Sequence, residues 1–134
     1  MSDDAPTPTD EDVDSRLARP GSISYMQIPA DDVFASAAFY ERVFGWRTSG
    51  SAAHLSFEDA TGYVAGSFEP GRPVSREPGI LPYVYVSRID DTIAAVREHG
   101  GDVVREPYPE GGLWVATVRD PAGNVIGVWQ QGPR

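Results

Sequence analysis

SYMQIPADDVFASAAFYERVFG (residues 24–45) and PYVYVSRIDDTIAAVREHGG (residues 82–101) share one pattern. In each, a short apolar strand leads into an amphipathic helix that starts at an aspartate, Asp32 in the first copy and Asp90 in the second, and stops at glycine. Val33, Ala37, Tyr40 and Phe44 recur at the spacing of a single helical face; in the second copy Ile93 and Val96 point inward, with Ile89 just before them. An Asp-x-x-Gly turn follows in both, Asp59 to Gly62 and Asp120 to Gly123, and opens another strand. Aligning the aspartates needs an offset of 58 and aligning the turns an offset of 61, so the copies differ in loop length. Two half-units, each with an uncovered sheet face, bury more surface by packing as a pair around a shared cleft.

The surrounding patterns complete the order strand-helix-strand-strand-strand, twice. Module one is expected over 21–69, with strands near Ser22–Pro29, Trp46–Ser49, Ala53–Glu58 and Tyr63–Phe68 and a helix over Asp32–Phe44. A proline- and glycine-rich linker occupies 70–80. Module two, 81–131, carries strands Leu81–Ser87, Asp102–Glu106, Leu113–Arg119 and Asn124–Gln130, a helix Asp90–His99 and a flexible loop Pro107–Gly112 that could cover a ligand. The fold class is α+β: two βαβββ modules forming a cupped mixed sheet around a central cleft, as one domain over 21–131. Residues 1–20, rich in acid, proline and threonine, are expected to form a disordered tail.

Composition narrows the chemistry. A net charge of −9 in 134 residues disfavours nucleic acid and anionic membrane as partners. No run of 18 apolar residues is present and the N-terminus is acidic, so neither a membrane span nor a secretion signal is expected, and a cytoplasmic location follows. The chain has no cysteine, which excludes a thiol nucleophile, a thiolate metal site and a disulfide. All eleven basic side chains are arginine, so no internal lysine can form a Schiff base. The two histidines, His54 and His99, are too few for a conventional multi-histidine metal site without carboxylates.

Period-two alternation assigns side chains to the helix side or the open side of each strand. Met26 and Ile28 suit the helix side, leaving Tyr25 and Gln27 open, and the repeat puts Tyr83 and Tyr85 in matching places. In the closing strand Val125, Gly127 and Trp129 take the open side, and the offset of 61 gives Val64, Gly66 and Phe68 as their counterparts. In the middle strand His54, Ser56 and Glu58 face the opening, matched by Val115, Thr117 and Arg119. The candidate ligand-binding set is therefore Tyr25, Gln27, His54, Phe68, Tyr83, Tyr85, Thr117 and Trp129. Such a lining favours a planar or bulky organic ligand, with ring contact for area and sparse polar groups for orientation; the same rings would equally fill a seam between modules or a dimer contact. His54 is the candidate proton-transfer group, and Tyr25 and Tyr83 are candidate donors to a ligand carbonyl or phenolate. Gln27 needs a partner if buried, in the ligand or in the protein. Asp32 and Asp90 read as helix caps, Asp59 and Asp120 as turn residues, and His99 as a partner of terminal helix carbonyls.

FYERVFGW (Phe39–Trp46), RDPAGNVIGVW (Arg119–Trp129) and the duplicated order resemble the vicinal oxygen chelate superfamily, which includes glyoxalase, bleomycin-resistance and extradiol-dioxygenase proteins. Metal enzymes of that superfamily place histidine or glutamate at four positions, on the first and last strand of each module. The resemblance puts Tyr25, Tyr83, Gly66 and Gly127 there, none an ordinary divalent-metal ligand. What the resemblance then implies is a metal-free, cofactor-free member that binds or sequesters an aromatic or cationic small molecule, in the manner of bleomycin-resistance proteins and as a homodimer. The competing expectation is a metal-independent lyase, isomerase or epimerase of secondary metabolism, with His54 moving a proton and Tyr25 or Tyr83 stabilising negative charge. A third is regulation through the dimer surface.

Overall fold

The computed structural model describes residues 15–134. In chain order they form β1 (Tyr25–Pro29), α1 (Val33–Phe44), β2 (Arg47–Ser51), β3 (His54–Glu58), β4 (Ala65–Glu69), β5 (Tyr83–Tyr85), α2 (Ile89–Glu98), β6 (Asp102–Glu110), β7 (Leu113–Arg119) and β8 (Val125–Gln131). This is the expected βαβββ order, twice. Each module makes its own four-stranded mixed sheet, β1-β4-β3-β2 and β5-β8-β7-β6, in which the first strand pairs parallel with the last. One apolar core runs through both modules on the helix side, joining Phe39, Tyr40, Trp46 and Phe68 to Ile89, Val96, Val118 and Val128. A cavity lies between the modules beside β1 and β5, two of the four sheet edges, and it takes in helix-side residues such as Met26, Ile28 and Tyr40 rather than the open faces alone. No helix among the described residues is long and apolar enough to cross a membrane.

The repeat is real, but its registration differs from the aspartate alignment. Asp32 caps α1, its Oδ1 accepting the Ala35 N–H at 3.1 Å. The cap of α2 is Arg88, two residues before Asp90, and it makes no side-chain capping bond. Ile89 is completely buried and so must enter the helix at its first position, which places Asp90 and Asp91 in the first turn, where carboxylates favour the positive end of the helix dipole. The missing cap is supplied across the fold: Gln130 Oε1 accepts the Ile89 N–H at 2.7 Å, and its Nε2 donates to Pro133 O. Hence Asp32 corresponds to Arg88, Gln27 to Tyr83, and Tyr25 to Leu81.

A second shift lies in the turns. The Asp59 N–H donates to Val64 O, whereas the Asp120 N–H donates one residue sooner in its turn, to Asn124 O. The extra residue in the first turn reverses the faces of β4 relative to the expected alignment, since one residue flips every side chain of a strand. Gly66 therefore sits beside Met26 and Phe57 on the helix side, and Phe68 beside Ile28. The placement of Phe68 in the cleft is thus corrected: it is 3% exposed and packs its ring 5.2 Å from Phe57 and 5.9 Å from Tyr40. Ala65, Ser67 and Glu69 take the open side with Tyr25 and Gln27.

One further boundary moved. The loop expected at Pro107–Gly112 is strand as far as Glu110, with the chain reversing at Gly111 (φ 62°). Irregular pairing between Val103 and Tyr108 accommodates Pro107, as a sheet edge permits. Of the expected tail over 1–20, the first fourteen residues lie outside the described residues. The rest rests on module one. The Arg19 guanidinium lies 4.2 Å over the Tyr63 ring, and Arg16 packs so closely on Gly62 that a Cβ there would stand 2.5 Å from its Nη1.

Candidate functional site

A cavity of about 750 Å³ sits in the gap between β1 and β5. One wall is the aromatic end of α1 and the residue after it: Tyr40, Phe44 and Trp46. Their positions follow from the helical period, which brings Tyr40 and Phe44 to one face, and from Gly45, whose left-handed φ of 74° stops the helix and turns Trp46 back beneath it. Tyr40 and Trp46 stack at 4.6 Å and Trp46 and Phe57 at 4.9 Å, so this wall is a rigid ring array. The facing wall is β5, with Tyr83 and Tyr85. Polar lining groups include Gln27 on β1, Asp59 and Thr61 from the first turn, Ser75 from the linker, and the Arg88–Asp91 ion pair at the start of α2 (2.8 Å).

Behind this wall lies a buried polar hub. The Asp120 carboxylate, 2% exposed, accepts at Oδ1 from the backbone N–H groups of Ala122, Gly123 and Asn124, and at Oδ2 from the Tyr40 hydroxyl and Asn124 Nδ2. Asn124 also donates from Nδ2 to Pro29 O and accepts the Ser75 N–H at Oδ1, while the Val125 N–H donates to Ser75 O. Module one, the linker and module two are thereby tied at one point. Burial, followed by the charge of Asp120 and the hydrogen bond to it, pushes the Tyr40 phenol well above its ordinary pKa. It stays protonated and acts as a donor.

A second, smaller pocket of about 240 Å³ opens on the other face of module two, lined by Tyr83, Glu110, Leu113, Val115 and Trp129. Tyr85 and Trp129 meet edge to face at 4.7 Å beside it.

The structure thus brings Gln27, Tyr83 and Tyr85 to the large cavity, and Tyr83 and Trp129 to the small one. Gln27 has a protein partner, Arg72, whose Nη2 donates to Oε1 at 2.6 Å. Tyr25, 58% exposed, lines neither space. His54 and Thr117 also line neither: His54 is exposed on β3, and Thr117 is half-buried on β7 opposite Gly127. His99 is itself the cap of α2, donating its N–H to Ala95 O.

Tyr40, Asp120, Asn124 and Gln130 were not anticipated as site-forming residues. Asp120 and Asn124 carried a faint signal, an asparagine following an Asp-x-x-Gly turn where the strand should already be apolar. Their partners are distant in the chain and invisible to a local pattern.

The corrected registration also revises the four metal positions of the fold family. With Tyr25 and Gly127 as references, their equivalents are Leu81 and Ser67, replacing Tyr83 and Gly66. A phenol, a hydroxyl, an isobutyl group and a bare backbone make no ordinary divalent-metal donor set. Among the described residues no group of three or more His, Cys, Asp or Glu could hold an ion elsewhere. The residues present do not fit the family's metal.

Comparison with known proteins agrees with this architecture. A family model described as the Glyoxalase/Bleomycin resistance protein/Dioxygenase superfamily matches residues 22–128. Two curated relatives, the anthracycline biosynthesis proteins DauV of Streptomyces sp. (strain C5) and DnrV of Streptomyces peucetius, are each 27% identical over 132 residues, covering 84% of this chain and 48% of the relative. The chain spans about half the length of these relatives. Among solved structures, a glyoxalase/bleomycin resistance protein/dioxygenase family enzyme from Burkholderia phytofirmans PsJN superposes with TM-score 0.67 at 20% identity, over 81% of this chain and 97% of the other. The fosfomycin resistance protein FosX from Mesorhizobium loti gives TM-score 0.68 at 16% identity, over 84% and 93%. At such identities the likeness speaks for the fold.

Proposed function

This chain belongs to the glyoxalase/bleomycin resistance protein/dioxygenase superfamily, and from that membership we propose that it binds a planar aromatic small molecule without a metal, holding or sequestering it in the cavity between β1 and β5. The observation that carries this reading is the cavity itself. At about 750 Å³ it falls within the range of small-molecule sites, and its lining combines the rings of Tyr40, Phe44, Trp46, Tyr83 and Tyr85 with aliphatic side chains and a smaller number of polar groups. A flat ligand against the β5 tyrosines and the partly exposed Phe44, with the buried Tyr40–Trp46 stack behind it, exchanges water for ring contact. The net charge of −9 favours a cationic ligand over an anionic one. That the two curated relatives are anthracycline biosynthesis proteins points to the same ligand class, since anthracyclines are planar polycyclic aromatics.

Pairing of two chains belongs to this reading. Tyr25 is more than half exposed on the open face of its sheet and lines neither cavity, and a second copy would cover such a ring. The proton-transfer alternative built on His54 finds no support in the placement of that residue, which lines neither cavity.

The test is a fluorescence titration. Trp46 lines the cavity, so a bound planar aromatic quenches it. A panel including an anthracycline should contain ligands that quench saturably at one per chain, with a chelator making no difference, and Tyr85→Ala should weaken binding about tenfold through loss of a ring contact. Absence of saturable quenching across the panel, or its abolition by chelator, would overturn the proposal.

A further inference from the structure

We infer, resting on the binding reading above, that Tyr83 partitions the site into a compartment for a planar ring system and a side pocket for an aliphatic amine, so that the ligand is an aromatic body carrying a basic appendage. Tyr83 is the one residue that lines both the large cavity and the small pocket. Its ring lies directly on Gly127, its neighbour in the parallel register of β5 and β8, where a Cβ would stand 2.4 Å from both Cδ2 and Cε2. Gly127 has no positive φ, so its backbone does not call for glycine. What requires the missing side chain is the close approach of the Tyr83 ring. The glycine thus holds the ring down as a wall with a space on either side.

The two spaces differ in chemistry. The large one presents stacked rings. The small one, about 240 Å³, is too small for a second polycycle and is lined by Leu113, Val115, Trp129 and the Tyr83 ring, with Glu110 as its only charge. Among the described residues no cation pairs with Glu110; Arg105, on the same strand, lies over Tyr108, and Arg134 pairs with Asp90. Glu110 ends β6 where Gly111 turns the hairpin, and it is the charged residue of the pocket lining. An unpaired carboxylate in a lining of two aromatic and two aliphatic side chains suits a short alkylammonium group: the carboxylate supplies charge pairing, and the rings supply apolar contact and cation–π attraction.

The test uses three ligands on one anthraquinone ring: the bare ring, the ring with an aminopropyl arm, and the ring with a hydroxypropyl arm of the same length. The unaltered chain should favour the aminopropyl ligand over the hydroxypropyl one by about fivefold at low salt, the upper range for a solvent-accessible charge pair. Glu110→Gln should abolish that preference and leave the bare ring's affinity unchanged. Adding a benzyl group to the amine should weaken binding to the unaltered chain by roughly tenfold, because the pocket wall overpacks, and Tyr83→Ala should remove most of that penalty. A preference that survives Glu110→Gln, or a benzyl penalty that survives Tyr83→Ala, overturns the partition while leaving the binding reading intact. Failure of all three ligands to bind the unaltered chain overturns both.

Discussion

The Tyr40 hydroxyl donates to Oδ2 of Asp120 at 2.8 Å, joining a helix of module one to a turn of module two across 80 positions of sequence with both groups out of water. A hydrogen bond to a buried carboxylate is among the stronger ones a fold can make, and losing its donor leaves the acceptor short of a partner. Tyr40→Phe should therefore lower stability by about 2 kcal/mol at neutral pH, measured by denaturant unfolding. The pH dependence has a definite sign. The folded chain keeps the Tyr40 proton to higher pH than the unfolded chain, so above the ordinary value of 10.0 the folded state binds more protons and stability falls as pH rises. Below that value the contribution is fully present. Tyr40→Phe should flatten the alkaline limb; an equally steep limb in the variant would refute the assignment.

Asn124 is the second half of the same hub, and its removal should be felt in the linker. Without its side chain the Ser75 N–H and Pro29 O lose their partners, at a cost of about 3 kcal/mol. Arg76, one residue beyond Ser75, packs on Gly123, with Nη1 only 2.9 Å from where a Cβ would lie. In Asn124→Ala, limited trypsin digestion should cut after Arg76 much faster than in the unaltered chain while circular dichroism still reports a folded protein. An unchanged rate would mean that the linker is held by something other than Asn124.

Gly66 offers a direct check on the face assignment of β4. A Cβ at this position would stand 2.0 Å from Met26 O and 2.3 Å from Phe57 Cζ, both parts of the packed interior. Gly66→Ala should destabilise by about 3 kcal/mol through overpacking. Gly71→Ala is the control, because nothing lies within 4 Å of its added methyl group. If Gly66 instead faced the open side, as a simple repeat of the second turn would have it, the substitution would be tolerated.

How far the sequence was legible follows from which forces are local. The helices could be read from the spacing of Val33, Ala37, Tyr40 and Phe44 and of Ile93 and Val96, because the helical period is a property of neighbours. The order strand-helix-strand-strand-strand, twice, followed from the repeat, whereas the pairing of β1 with β4 and of β5 with β8 is long-range and has no local signature. What escaped was registration, where one extra residue between Asp59 and Val64 turned Phe68 into the core, and where the second cap is Arg88 because the spacing from Gln27 to Asp32 is repeated from Tyr83, not from Tyr85. A pattern with period two carries no memory of a single insertion upstream. The hub around Asp120 escaped for a different reason. Its turn geometry was local and readable, but Tyr40, Pro29 and Ser75 reach it only through the packing of whole modules. Of the candidate site, the tyrosines of β5 are legible because alternation exposes them, whereas Tyr40, Phe44 and Trp46 carry no local sign beyond a helical face and the start of a strand.

His54 separates binding from catalysis. It is exposed on β3, outside both cavities, and pairs in the sheet with Ser51 near the end of the first hairpin. A side chain so placed contributes little to the fold, so His54→Gln should change stability by less than about 0.5 kcal/mol. Ligand affinity should change by less than about twofold, because the ring contacts that hold a planar molecule are elsewhere. A general base, by contrast, supplies about 10²-fold or more in rate, and its loss would abolish turnover of any substrate the chain converts. Isothermal titration of His54→Gln with the best aromatic ligand, run beside product analysis of the unaltered chain, distinguishes the two. Equal affinities and no product leave the cavity between β1 and β5 as the working site. A tenfold loss of affinity, or a product that disappears in the variant, would move the chemistry to the open face of β3 and make the cavity a packing defect.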